Sequence, residues 1–235
     1  MAAVNLLSAR GLVRHFDGLR AVDGVDLDLA PGRIHALIGP NGAGKTTFVS
    51  LLSGRIRPQA GTITLDGRDI TAMPAHARVR AGIAYTFQIT SIYRSLTVLE
   101  NVRIAAPGGD VARAMDALAR VGLADQADLV AGALSYGHQR LLEIAMGLAL
   151  APRVLILDEP TQGLADAEIA DFKALVRDLA RDAAILLIEH NMDVVMDLAD
   201  EITVLVAGRV LAHGAPAAIR ADAAVQAAYL GDDHA

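Results

Sequence analysis

The sequence predicts an α/β fold: a parallel sheet covered by helices, with an antiparallel β portion beside it and a helical lobe inserted into it. Three observations lead there. Short apolar runs at 33–38, 83–87, 154–157 and 185–188 have the length and continuity of strands buried on both faces, and amphipathic helical patterns lie between them. Residues 6–16 and 21–29 partly alternate instead, with Val25, Leu27 and Leu29 on one face and Asp26 and Asp28 on the other, as a half-buried strand does. Residues 97–149 read as almost wholly helical.

Taken in chain order, the two alternating segments open the antiparallel portion, and a third short strand at 62–65 ends at the turn pair Asp66-Gly67. The run at 33–38 passes through a Gly-rich loop into an apolar helical run at 48–52. After the strand at 83–87, Thr97 and Glu100 form a capping-box pattern, and Pro107-Gly108-Gly109 ends that helix. Asp110 starts an Ala-rich helix that stops at Gly122, and another helix runs from near Ser135 to about Ala149, before Pro152. The Ala-rich stretch 215–228 reads as helix rather than disorder. The expected organisation is a single domain over 1–235, with a core at 1–88 and 152–235 and the helical lobe at 89–151.

Composition narrows the function. A chain of 235 residues that is 53% apolar and only 20% charged is globular and long enough to bury a sizeable core. Its longest apolar stretches are interrupted by Pro152, Arg153, Asp158 and Glu189, and all fall short of the roughly 18–20 residues of a membrane span. No basic region followed by an apolar run marks a secretory signal, so a soluble cytoplasmic domain is expected. The absence of Cys rules out disulfides and thiolate metal sites, and a net charge of −6 argues against nucleic acid as the main partner.

The chemistry begins at Gly39-Pro40-Asn41-Gly42-Ala43-Gly44-Lys45-Thr46, which fits G-x-x-x-x-G-K-[ST] between a strand and a helix. Backbone N–H groups of such a loop turn inward around phosphate oxygens, and the helix N-terminus, with Thr47 beside Thr46, adds partial positive charge. Lys45 is expected to reach the β- and γ-phosphates and the Thr46 hydroxyl to ligate Mg²⁺. Lys45 is one of only two lysines in the chain, the other being Lys173. The second element is the buried strand 154–157 ending in Asp158 and Glu159. A buried strand presents charge only at its tip, where an open α/β sheet has its ligand crevice. Asp158 is expected to hold Mg²⁺, directly or through water, and Glu159 to orient and deprotonate the attacking water.

Three further segments give the sequence a family likeness. Leu134-Ser135-Tyr136-Gly137-His138-Gln139 resembles the signature motif of ATP-binding cassette (ABC) ATPases, Gln88 after the strand 83–87 matches their glutamine loop, and His190 after the strand 185–188 matches their switch histidine. Order and spacing agree over essentially the whole chain, so the resemblance implies a P-loop NTPase core of ABC type. It implies ATP as substrate, with Ser135 and Gly137 facing the γ-phosphate of a second subunit's ATP, Gln88 touching the metal, and His190 positioning water with Glu159. It also implies an aromatic stack of Phe16 on adenine, although a Phe ending a strand is core about as often, and an inter-subunit role for Asp166, for which a helix cap is an equal account.

Two positions depart from the usual signature, where Tyr136 and His138 stand in place of Gly and Gln. Tyr136 recurs in the ATPase subunits of branched-chain amino acid importers, which 86–88, 142–145, 189–192 and 228–231 also resemble. Related ATPases serve urea or amide uptake and lipopolysaccharide export, whereas the soluble ABC ATPases usually carry two cassettes, a coiled coil or a basic surface. A metabolic phosphotransferase would share the phosphate loop but would not need Ser135 or His190. The partners implied are permease subunits reached near 89–104, a second ATPase subunit head to tail and, indirectly, a substrate-binding protein, which would hold the chain at the cytoplasmic face of the membrane.

Overall fold

The computed structural model describes residues 5–86 and 91–230. The chain forms β1 (Leu7–Phe16), β2 (Leu19–Leu29), β3 (Ile34–Ile38), α1 (Lys45–Leu52), β4 (Ala60–Leu65), β5 (Arg68–Asp69), α2 (Ala75–Arg80) and β6 (Ile83–Tyr85). The helices α3 (Val98–Ala105), α4 (Val111–Arg120) and α5 (Tyr136–Leu148) come next. Then follow β7 (Val154–Asp158), α6 (Asp166–Leu179), β8 (Ala184–Ile188), α7 (Met192–Leu198), β9 (Glu201–Val206), β10 (Arg209–Gly214), α8 (Pro216–Ala221) and α9 (Ala223–Leu230).

Two sheets result. One is antiparallel with order β2-β1-β4-β5, and the other has order β10-β9-β3-β8-β7-β6, parallel from β9 to β6 and closed by the antiparallel hairpin β9–β10. Strand alternation explains why the runs at 154–157 and 185–188 are apolar throughout. Leu155, Leu157, Ile185 and Leu187 face a core that includes α3–α6, while Val154, Ile156, Leu186 and Ile188 face one shared with α1 and the antiparallel sheet. Each fully buried Leu, Ile or Val adds roughly 1.5–3 kcal/mol, so neither face tolerates polarity. Charge is pushed to the strand ends.

Local signals act as the sequence suggests. Thr97 caps α3: its hydroxyl accepts from the Glu100 N–H at 3.1 Å, and the Glu100 carboxylate accepts from the Thr97 N–H at 2.7 Å. Asp110 and Ser135 cap α4 and α5 through the N–H groups of Arg113 and His138. Arg78, only 1% exposed, braces α1 from below. Its guanidinium donates to the Leu51 and Leu52 carbonyls at 2.7 Å each, and to those of Met73 and Thr71 at 2.9 and 3.0 Å. A cation at the helix C-terminus satisfies carbonyls that have no intrahelical partner.

No helix among the described residues is long and apolar enough to cross a membrane.

Candidate functional site

Pairing in register aligns the carboxyl ends of three central strands. Leu37 pairs with Ile188 and Asp158 pairs with Ile188, so the segments leaving β3, β8 and β7 emerge side by side. Those segments are the Gly-rich loop, Glu189-His190 and Asp158-Glu159.

The loop after β3 turns at Gly39 and Gly44, where any side chain would collide. A Cβ on Gly39 would run into the Leu205 carbonyl and one on Gly44, at φ 101°, into that of Ala21. Pro40, Asn41 and Gly42 make the outer turn, which closes with the Ala43 N–H donating to the Pro40 carbonyl at 3.2 Å. Gly44 is the N-cap of α1 and supplies no side-chain cap, and the first turn, with Lys45, Thr46 and Thr47, holds no acidic residue. That helix end is therefore left to other anions. Lys45 Nζ donates to the Gly39 and Pro40 carbonyls at 2.5 and 3.1 Å. Burial lowers the Lys45 pKa, and the charges of Glu159 and Asp158 oppose the fall, which puts the ammonium and both carboxylates in one field.

Asp158 is 3% exposed, and one of its oxygens accepts from the Tyr85 hydroxyl at 2.6 Å. Burial pushes its carboxyl upward, against the Tyr85 bond. Burial and the same bond also raise the Tyr85 phenol. Glu159 is half-buried and has φ 47°, a left-handed backbone that costs a non-Gly residue roughly 1–2 kcal/mol. Its surroundings hold it there. The Glu159 N–H donates to the Ile188 carbonyl at 2.9 Å, and its own carbonyl accepts from Arg140 Nη2 at 3.1 Å. Arg140, buried on α5, is itself paired with Glu143 at 2.9 Å. His190 is exposed directly after the buried Glu189.

The signature residues sit elsewhere on the same chain. Ser135 is exposed at the N-cap of α5, and among the described residues no hydrogen bond joins it or Gly137 to 39–47. Their neighbours follow β7: a Cβ on Gly137 would press on the Glu168 carboxylate, and one on Gly163 would lie 3.0 Å from the Tyr136 ring. Tyr136 thus covers Gly163, and His138 lines a cleft with Glu168 and Asp171. Asp166 is the first residue of α6 rather than its cap, because the acid that reaches back is Glu168, which accepts from the Ala165 N–H at 2.9 Å. Phe16 is not core: it is 40% exposed, with the Arg14 guanidinium 4.7 Å from its ring centre. Gln88 lies outside the described residues. The sequence assigns no role to Tyr85, Arg140, Glu143 or Glu168, although Glu143 falls in the 142–145 resemblance and Tyr85 adjoins the strand end.

Comparison with known proteins agrees with this architecture. The family described as "ABC transporter" matches residues 22–162, and that described as "Branched-chain amino acid ATP-binding cassette transporter" matches 209–235. The chain is 39% identical to the high-affinity branched-chain amino acid transport ATP-binding protein LivG of Escherichia coli, over 97% of this chain and 98% of that protein. It is equally similar, with the same coverage, to the corresponding protein BraF of Pseudomonas aeruginosa. The crystal structure of the ADP conformation of MJ1267, an ATP-binding cassette of an ABC transporter, superposes with a TM-score of 0.90 at 28% identity, over 97% of this chain and 99% of that one. The chain belongs to the ABC transporter family, as one of its ATP-binding ATPase subunits.

Proposed function

We propose that this subunit hydrolyses ATP to power an importer of branched-chain or other hydrophobic amino acids. The observation that carries the ATPase half is the convergence of the Gly-rich loop, Asp158-Glu159 and His190 at one end of the parallel sheet. The import half is supported by the two 39% identical relatives and by the match over 209–235.

In this reading the N–H groups of the loop and Lys45 hold the β- and γ-phosphates, and Phe16 offers its exposed ring to adenine. Thr46 and Asp158 supply the oxygen ligands that Mg²⁺ prefers, joined by Gln88. Asp158 fits that task, since Tyr85 engages one carboxylate oxygen and, among the described residues, no hydrogen bond engages the other. When bound, the metal neutralises charge on the phosphates. Glu159 takes a proton from the attacking water, whose oxygen bonds to the γ-phosphorus while the bridging oxygen leaves with ADP. His190 orients that water and touches the γ-phosphate.

Ser135 and Gly137, which among the described residues make no hydrogen bond to 39–47, serve the ATP of a second ATPase subunit packed head to tail. We take 89–151 as the lobe that meets the permease subunits from the cytoplasmic face. Tyr93, 55% exposed, is a contact there, and Arg94 donates to Gln139 on α5 at 3.2 Å, which links that surface to the signature helix.

The test is uptake of radiolabelled leucine by cells that make the intact transporter. Replacing this subunit with its Lys45→Ala form should abolish uptake, and undiminished ATP-dependent leucine uptake would refute the reading.

A further inference from the structure

Glu189 has no part in the chemistry described above, yet it is among the most deeply buried charged side chains in the structure, at 1% exposure. Its carboxylate is fully engaged. Oε1 accepts from the Thr161 N–H at 3.0 Å and the Thr161 hydroxyl at 2.6 Å, and Oε2 accepts from the N–H groups of His190 and Asn191 at 3.1 and 3.2 Å. All four donors are neutral. Burying a carboxylate is costly, and four hydrogen bonds offset that cost only while all of them are made.

The bonds join two segments that chemistry must keep in register. Thr161 lies two residues after Glu159, on the loop that continues through Gly163 to α6, and His190 starts the segment that Asn191 caps into α7. Asn191 Oδ1 accepts from the Asp193 and Val194 N–H groups, so the far side of the clamp is anchored on a helix. On the near side, the Glu159 N–H is tied to Ile188, the residue before Glu189. Glu159 and His190 are thus fixed to one another through the backbone on both flanks of a single buried carboxylate.

We propose that Glu189 is a positioning residue for hydrolysis, setting the distance between the Glu159 loop and His190. The proposal rests on the roles assigned above to those two residues. Glu189→Gln is nearly isosteric but replaces one oxygen with an NH₂ group. Turned toward Thr161, the NH₂ faces the Thr161 N–H, although the hydroxyl can rotate to accept; turned the other way it faces the N–H groups of both His190 and Asn191, so at least one main-chain donor always faces a donor. The loop and His190 separate, and a misplacement of about 1 Å at a reacting centre costs up to about a hundredfold in rate.

The experiment is steady-state ATP hydrolysis by the full chain, with KM for ATP and thermal midpoint measured alongside. For Glu189→Gln the expected result is a tenfold to hundredfold fall in kcat, with KM within about twofold of wild type. A merely structural role is separated by a double-mutant cycle with His190→Ala, in which Glu189→Gln should cause almost no further loss. Unchanged kcat in Glu189→Gln, or a loss that multiplies in full with that of His190→Ala, overturns the proposal. Should Glu189→Gln fail to fold, Thr161→Val, which removes one of the four donors, decides by the same criteria with an expected loss of about fivefold. If His190→Ala alone hydrolyses ATP at the wild-type rate, the role given to His190 falls first and takes this inference with it.

Discussion

Arg78→Met tests whether the floor beneath α1 is held by one buried cation. The side chain is 1% exposed, and its four hydrogen bonds end on main-chain carbonyls, two of them at the C-terminus of α1. Methionine keeps most of the aliphatic volume and deletes every donor. The Leu51 carbonyl keeps the Gly54 N–H at 3.2 Å, each carbonyl left dry costs about 1–3 kcal/mol, and the variant no longer pays to bury a charge, so a net loss of about 3 kcal/mol is expected. Burial lowers the Arg78 pKa to about 10, which registers that opposing cost. In a chain of this size about 3 kcal/mol corresponds to a fall of roughly 6–12 °C in Tm. Urea and thermal unfolding followed by circular dichroism supply the measurement, and Arg78→Lys should recover part of the loss because one ammonium reaches fewer of the four carbonyls. A Met variant within 2 °C of wild type by the same measurement would show that the bonds are replaced, and the reasoning fails (the ~2–4 °C per kcal/mol scale sets that limit).

Three other outcomes are expected. Lys45→Ala should weaken ATP binding at least about tenfold, the value of one charge-assisted contact, and unaltered affinity by fluorescent-nucleotide displacement would remove the Gly-rich loop from its assigned role. Glu159→Gln should bind ATP and accumulate as a dimer in size-exclusion chromatography while turnover falls about 10²-fold or more; normal phosphate release would exclude Glu159 as the base. His35 is 3% exposed and bonded to Thr203 at 2.8 Å, and burial, aided by His213, lowers its pKa to about 4. Between that value and 6.5 the unfolded chain binds a proton that the folded chain refuses. Stability therefore rises with pH across this window, by about 2 kcal/mol from pH 5 to 7.5. His35→Gln should flatten that slope in urea titrations, and an unchanged slope would place its origin elsewhere.

The legible part of the site was the part written in contiguous residues. A strand, a Gly-rich turn and a helix need no distant partner to be recognised, and Asp158-Glu159 stood out because charge follows a run that can only be a buried strand. The strand order was not legible. Nothing local says that β8 lies between β3 and β7, because pairing is fixed by face-to-face burial of chain segments far apart. For the same reason the burial of Arg78, Arg140 and Glu143 is not legible, since a charge inside a helical pattern reads as a solvent face until its partner is known. The cap expected of Asp166 is supplied instead by Glu168, because a carboxylate reaches back to the N-cap N–H of Ala165 from the third helical position better than from the first.

The insertion of β8 between β3 and β7 also fixes an order in time. β3 ends at Ile38 and β8 begins at Ala184, so a ribosome adding about 5–20 residues per second takes about 7–30 s to travel from one to the other. Throughout that interval β3 has two unpaired apolar edges, since β8 and β9 are both still to come, and its Gly-rich loop lacks the Leu205 and Gly208 backbone that it later packs against. A strand with open edges is a template for the wrong partner. Synthesis of this subunit therefore includes a period of several seconds in which the strand that carries the Gly-rich loop is open to wrong pairing.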